Sequence, residues 1–177
     1  MNREDYRKVA AIGLAVAGIG LTAVVLGGGN GDRTTPANSS LGHHVEVMGR
    51  THISVGEKHD SYNSNPPTSG PHYMRPATRG FYSREIPEER LVHNLEHGQV
   101  WISYRNISSE TRAELKDLAQ KYSGALIVTK RPENDARIAV ASWGRLMKLE
   151  KYNETRIENY IRSFVNNSPE PFATLPS

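Results

Sequence analysis

The segment Glu88–Arg105, EERLVHNLEHGQVWISYR, contains the two patterns that decide the fold class. Its first part, EERLVHNLEH, predicts a short helix that ends at Gly98, because glycine commonly terminates helices. Its second part, Gln99–Arg105, alternates apolar and other side chains and predicts a strand. A helix that passes through one glycine into a strand indicates a domain that contains both element types.

The chain after this segment continues with alternating helical and extended patterns. Apolar residues at helical spacing predict helices at Ser108–Tyr122 and Asn153–Asn166. Apolar runs bounded by turn residues predict strands at Ala125–Lys130 and Arg137–Trp143. The order predicts a single small α+β domain, with a small mixed or antiparallel sheet and two packed helices.

The chain before it, from Gly49 to Tyr82, is rich in Gly, Pro, Asn and Ser. Within it, NSNPPTSGPH (Asn63–His72) holds three prolines, which excludes a helix interior and a central strand. Prolines fix φ and so reduce the entropy that is lost when a loop becomes ordered. We therefore expect a rigid loop that presents side chains to a ligand.

An apolar run, Val9–Leu26, precedes the predicted domain. It holds 18 residues without a charged side chain and would span about 27 Å as a helix, near the minimum for a bilayer. Residues 1–8 carry three basic against two acidic side chains, which predicts a cytoplasmic N-terminus. The run is predicted to be a single-pass signal anchor. The alternative is a cleavable signal peptide, whose apolar core is usually shorter.

The remaining boundaries follow from composition. Residues 27–42 are rich in Gly, Ser, Thr and Asn and predict a flexible linker. The extracytoplasmic α+β domain is expected at 43–172, followed by a short tail at 173–177. The net charge is +3, from 22 Lys+Arg against 19 Asp+Glu, which gives no argument for a nucleic-acid partner.

The chain has no cysteine and seven histidines. The missing cysteines exclude disulfides, thiolate zinc sites and iron–sulfur clusters. Any metal ion must therefore be held by His, Met or carboxylate side chains. A domain outside the cell that holds a metal ion without thiols also avoids thiol oxidation.

Three of the histidines suggest a metal site. His93 and His97 lie four residues apart, so they share one face of the predicted helix, and His72 ends the proline-rich loop. The predicted ligands are His72, His93 and His97, with Met74, Glu96 and His52 as further candidates. Three imidazoles suit zinc or copper, and a thioether ligand would favour copper. The alternative is structural: the histidines would bind backbone groups where the loop packs on the sheet.

The sequence HNLEH also matches the H-x-x-E-H pattern of inverted zinc proteases. In that alternative, the protein is a small zinc-dependent hydrolase, Glu96 is the general base and Glu170 is a candidate third ligand. A domain of this size offers little room for a substrate cleft, which argues against an enzyme. We predict no other catalytic residue.

Three motifs resemble those of an uncharacterised prokaryotic family: YNSNPPTSGPH (Tyr62–His72), LVHNLEHG (Leu91–Gly98) and SWGR (Ser142–Arg145). The resemblance extends over residues 49–170, with Ser142 standing where the family has Ala. Members carry one N-terminal membrane helix and an extracytoplasmic domain, and the family is classed as a domain of unknown function. The resemblance thus implies an anchored, outward-facing topology and no particular activity.

Together these observations predict a copper- or zinc-binding domain that is anchored in the cell membrane and lies outside the cytoplasm. It would deliver metal or act as an accessory subunit of a membrane complex. Its partners would be the membrane itself, through the N-terminal helix, and a membrane protein. The alternatives are the zinc hydrolase and a structural or interaction domain without metal.

Overall fold

The computed structural model describes residues 41–177, so the predicted cytoplasmic segment, the signal anchor and most of the linker lie outside the described residues. Across residues 41–177, none of the helices has both the length and the apolar character that a membrane span requires. The described elements, in chain order, are β1 (His43–His44), β2 (His52–Ile53), β3 (His72–Tyr73), β4 (Gly80–Tyr82), α1 (Glu88–Glu96), β5 (Val100–Tyr104), α2 (Ser109–Lys121), β6 (Leu126–Lys130), β7 (Ile138–Ser142), β8 (Arg145–Leu149) and α3 (Glu154–Phe164).

Six strands form one mixed sheet in the order β1-β8-β7-β5-β6-β4. β6 pairs in parallel with both β5 and β4, whereas the pairs β5–β7, β7–β8 and β1–β8 are antiparallel. β2 and β3 form a separate parallel pair. The prediction of a small α+β domain with a mixed sheet is confirmed, and α1 is a third helix beside the two that we expected to pack.

The helices α2 and α3 cover one face of the sheet. Their N-termini are capped by side chains: Ser108 Oγ accepts from Thr111 N at 3.2 Å, and Asn153 Oδ1 accepts from Arg156 N at 2.9 Å. The apolar faces of both helices pack on alternate residues of the central strands. Burying one Leu or Ile side chain contributes about 1.5–3 kcal/mol, so this face supplies much of the stability. Its fully buried members include Val100, Ile102, Leu115, Val128, Ile138, Ile157, Tyr160 and Ile161.

The helix α1 packs on the other face. Trp101 of β5 and Ile127 of β6 point to this side, where they meet Leu91 and Leu95 of α1. Successive side chains of β5 point to opposite faces of the sheet. Trp101 therefore faces α1, whereas its neighbours Val100 and Ile102 face α2 and α3. Trp101 is fully buried, and its indole N–H donates to Thr129 Oγ1 at 2.8 Å.

The helices and strands predicted between residues 88 and 166 are all present, with ends shifted by at most two residues. The sequence analysis missed β8, whose sequence RLMKL has no clear alternation of apolar residues. β8 forms because the chain reverses at Trp143 and Gly144, which places Ser142 opposite Arg145 in a hairpin. Gly144 has a φ of +64°, which favours glycine at this turn. The short strands β1 to β4 were also not predicted, although three of them lie in the expected ordered loop.

Candidate metal centre

Two neighbouring short strands place their histidines side by side. β2 and β3 pair in parallel, with His52 opposite His72. Residues in register on a parallel pair point to the same side, and the two imidazole centroids are 4.7 Å apart. The pairing thus unites two histidines that the whole proline-rich loop separates along the chain.

The helix α1 supplies the other side of the cluster. Its apolar side packs on the sheet, and its opposite side carries His93, Glu96 and His97. The ring centroid of His93 is 5.2 Å from those of both His52 and His72. As the sequence predicted, the four-residue spacing places His93 and His97 on the same side of the helix.

His72 is fully buried and fixed in one tautomer by the loop. Its Nδ1 lies 2.8 Å from the carbonyl oxygen of Gly70. A carbonyl only accepts, so Nδ1 carries the proton. Nε2 of the neutral ring then has only a lone pair, and it faces Glu96 Oε2 at 2.9 Å. A neutral imidazole nitrogen and an ionised carboxylate both only accept, so a proton or a metal ion must lie between them.

The same arrangement occurs at the other two histidines of the predicted set. His93 Nδ1 donates to the carbonyl oxygen of Tyr73 at 2.6 Å, and His97 Nδ1 donates to that of Glu170 at 3.1 Å. Their Nε2 atoms face each other at 2.8 Å. Backbone carbonyls that hold Nδ1 and turn Nε2 inward are the usual support of metal-binding histidines.

Four side chains can hold one metal ion: His52, His72, His93 and Glu96. Each offers a ligand atom, and these atoms all lie within 4.8 Å of one another. Bonds of about 2.0–2.1 Å in a tetrahedral site place ligand atoms about 3.3 Å apart. The distances of Glu96 Oε2 from His72 Nε2, 2.9 Å, and from His52 Nε2, 3.7 Å, lie on either side of that spacing. For these two pairs, small side-chain shifts would reach that spacing.

The electrostatics of the cluster favour a neutral His93. Burial lowers the pKa of His93, a hydrogen bond to the Tyr73 carbonyl opposes this, and the neighbouring His97, His72 and His52 lower the pKa further. The neutral form is the one that binds metal ions. Glu96, whose side chain is 2% exposed, is the acidic residue of this group.

Asn94 explains why the helix and the loop stay together. Its Oδ1 accepts from Ala77 N at 2.9 Å, and its Nδ2 donates to Ala77 O at 2.9 Å and to Gln99 Oε1 at 2.6 Å. A buried amide that is satisfied on both atoms ties α1 to the segment after β3. The HNLEH motif thus combines potential metal ligands with an anchor, and the anchoring role of Asn94 was not predicted from the sequence.

The two other motifs also meet at this cluster. The Trp143 ring lies 6.4 Å from that of His72, edge to face. Gly144 N donates to the Thr68 carbonyl at 3.2 Å, which ties the β7–β8 turn to the proline-rich loop. Gly70 has a φ of +117°, which favours glycine at the position whose carbonyl orients His72.

The structure distributes the predicted ligands over two groups of potential ligands. His72 and His93 lie in the four-residue group, together with His52 and Glu96, which the sequence analysis had named only as further candidates. His97 contacts His93 but belongs to a second group of potential ligands, Glu96, His97 and Glu170. The Met74 side chain is 67% exposed. His59, another histidine of the loop, lies 3.6 Å from Glu89.

The position of Glu96 bears on the hydrolase alternative. Glu96 faces the histidines, as a general base would have to. However, its Oε2 already contacts His72 and His52, and its Oε1 lies 3.8 Å from Arg50 Nη1. The Oε2 atom is thus held by His72, which argues against a free carboxylate that activates water.

Comparison with protein families gives one match. A family model described as "Protein of unknown function (DUF3105)" matches residues 52–176, which is more than two thirds of the chain and includes every residue of the cluster. No curated protein and no solved structure matches the chain.

Proposed function

The chain belongs to the DUF3105 family of proteins of unknown function, and we propose that its folded domain binds one divalent transition-metal ion, Zn²⁺ or Cu²⁺. The ligands are His52, His72, His93 and Glu96. One observation carries the proposal: the Nε2 atom of His72 faces the carboxylate of Glu96 at 2.9 Å, while its Nδ1 is occupied by a carbonyl.

That contact can be completed in two ways: a proton on Nε2 would pair His72 with Glu96, and a metal ion would make both of them ligands. A structural histidine would satisfy both ring nitrogens with complementary partners. Here the outer nitrogen is satisfied and the inner one faces Glu96, so the contact needs a proton or a metal ion, and the two further imidazoles of His52 and His93 beside this pair support the metal ion. The Nε2–Nε2 contact of 2.8 Å between His93 and His97 has the same requirement.

The ligand set supports zinc or copper(II) without choosing between them. Three neutral imidazoles and one carboxylate are nitrogen and oxygen ligands that both ions accept. The argument for a thioether rests on Met74, whose side chain is largely exposed. Without it, the set gives no support to copper(I), which prefers soft sulfur ligands.

We further propose that the domain works at the outer surface of the cell membrane. The apolar run Val9–Leu26 would anchor it, and the polar linker after it would let the domain reach a membrane protein. In this position the domain would deliver the ion or serve as an accessory subunit. The absence of cysteine from the chain is consistent with a metal site outside the cytoplasm.

The test is metal analysis of the full chain, purified in detergent without a histidine tag. After treatment with a chelator, the protein is titrated with Zn²⁺ and Cu²⁺ by calorimetry, and retained metal is counted by mass spectrometry. We expect one ion per chain, and His72→Ala should lose it. His43→Ala is the matched control, because His43 is an exposed histidine on β1. A wild-type chain that retains no ion and gains no thermal stability would show that the histidines are structural.

A further inference from the structure

We propose that His97 and Glu170 form an outer metal position, through which the ion enters and leaves the inner site. The inference rests on the proposed function, since it assigns a route to the same centre. It accounts for the second group of potential ligands, Glu96, His97 and Glu170, whose ligand atoms all lie within 4.8 Å of one another.

The exposed fraction of the side chain falls from Glu170 through His97 to Glu96 and His72. The side chain of Glu170 is 50% exposed and that of His97 is 18% exposed, whereas that of Glu96 is 2% exposed and that of His72 is fully buried. An ion that arrives on this side therefore meets Glu170 and His97 first, although the His52 side chain of the inner group is itself 38% exposed. It can lose its water in stages, which lowers the cost of bringing a charge into a buried site.

The two positions share ligands, so the ion need not be released between them. Glu96 belongs to both groups, and His97 Nε2 lies 2.8 Å from His93 Nε2. An ion held by Glu96, His97 and Glu170 can bind His93 as it leaves Glu170. Each step exchanges one ligand for another, and the carboxylate of Glu96 stays bound throughout.

Charge argues that the two positions are filled in turn. Arg50 Nη1 lies 2.9 Å from Glu170 Oε1 and 3.8 Å from Glu96 Oε1. Two divalent ions beside Arg50 would face only two carboxylates, one of them shared, and would repel each other at short range. A single ion displaces Arg50 from Glu170, and Arg50 returns when the ion has moved inward.

The segment that carries the outer position is well placed to hold it. Glu170 N donates to the Glu96 carbonyl at 3.1 Å, and Phe172 N donates to the His97 carbonyl at 3.2 Å. The Phe172 ring lies 4.4 Å from the His97 ring. The chain after α3 thus runs along the end of α1 and fixes Glu170 beside His97.

The test measures rates and affinity separately. Zn²⁺ uptake by the metal-free full chain, and its release to a chromophoric chelator, are followed by stopped flow, while competition with the chelator gives the equilibrium constant. In His97→Ala we expect both rates to fall about tenfold, which corresponds to about 1.4 kcal/mol in each barrier, with the affinity nearly unchanged. Glu170→Gln should lower both rates in the same direction by a smaller factor. His43→Ala should leave them unchanged.

The outcomes separate this inference from the proposed function. If the wild-type chain binds no ion, both the proposed function and the outer metal position are wrong. A wild-type chain that binds one ion while His97→Ala and Glu170→Gln keep normal rates defeats only the outer position. The inference is also wrong if His97→Ala weakens equilibrium binding as much as His93→Ala does, or if two ions bind at once. If His97→Ala does not fold, Glu170→Gln alone decides, because Glu170 is half exposed.

Discussion

The two faces of the main sheet are built in opposite ways. On the face covered by α2 and α3, almost every buried side chain is apolar, and the hydroxyl of Tyr160 is satisfied by Ser142 and the Arg145 carbonyl. On the other face, α1 buries leucines against the sheet and one histidine, one asparagine and one glutamate against the loop. Burying polar groups costs free energy unless each is paired.

The apolar face thus contributes stability, whereas the face covered by α1 carries the potential ligands. The apolar face needs no ligand to be complete, because its side chains satisfy one another by packing. The α1 face leaves facing acceptors at its centre, between His72 and Glu96 and between His93 and His97. A fold selected for stability alone would fill that space with apolar side chains. Its polar composition therefore agrees with the metal ion that we propose.

The largest expected effect is the loss of stability when a side chain of the apolar face is removed. Leu115→Ala removes a fully buried side chain of α2, which should lower the free energy of unfolding by about 2–5 kcal/mol. Metal affinity at the opposite face should not change while the protein remains folded. Urea denaturation and metal titration measure the two quantities. Glu114→Ala, an exposed neighbour on α2, should change neither. Loss of metal affinity in Leu115→Ala would show that the faces are not independent.

The second effect concerns the metal ion that we propose for the polar face. Zn²⁺ at a free concentration of a hundred times Kd should raise the free energy of unfolding by about 2.7 kcal/mol. Leu115→Ala should keep this increment, because its ligands are intact. His72→Ala should lose it. The measurement is urea denaturation of each variant with and without Zn²⁺. An equal increment in wild type and His72→Ala would place the ion elsewhere.

The third effect tests whether the polar face depends on its anchor. Asn94→Ala leaves the buried N–H and carbonyl of Ala77 without their partners, which should cost about 1–3 kcal/mol. Because Asn94 holds α1 to the segment that follows His72, metal affinity should fall as well.

The matched control for this anchor is Asn167→Ala, at an exposed position after α3. It should change neither stability nor affinity. If Asn94→Ala lost stability and kept full affinity, the anchor would serve the fold alone.

The sequence predicted the apolar face better than the polar one, for a physical reason. Helices α2 and α3 carry apolar residues at helical spacing and side-chain caps at Ser108 and Asn153, and such local signals are visible without the fold. β8 was missed because its position depends on pairing with β7. Non-local pairing leaves little trace in a short segment.

The same distinction applies to the candidate site. His93, Glu96 and His97 were found together because helical spacing is local. His72 was found because its loop is unusual in composition. The sequence could not show that β2 pairs with β3, so the position of His52 beside His72 depended on the fold. The contact of His97 with the chain after α3 is non-local in the same way.

The smallest effect is the pH dependence that His93 gives to the metal-free protein. Burial, and then His97, His72 and His52, lower its pKa below 6.5 in the folded state. The unfolded chain therefore binds a proton at higher pH than the folded protein does. The stability due to neutral His93 is complete above pH 6.5 and is lost as pH falls through the folded pKa. The free energy of unfolding should thus decline across this window, as measured by urea denaturation at a series of pH values.

His93→Gln tests this assignment, because it keeps a polar side chain and removes the titration. The decline below pH 6.5 should become shallower in this variant, and His43→Gln, at the exposed position on β1, should retain the wild-type slope. An unchanged slope in His93→Gln would assign the acid sensitivity to other groups. A stability that rises on acidification would contradict the lowered pKa itself. Either result would mean that protonation of His93 costs the folded protein little stability. The difference between the polar and apolar faces would then be supported only by the positions of the potential ligands.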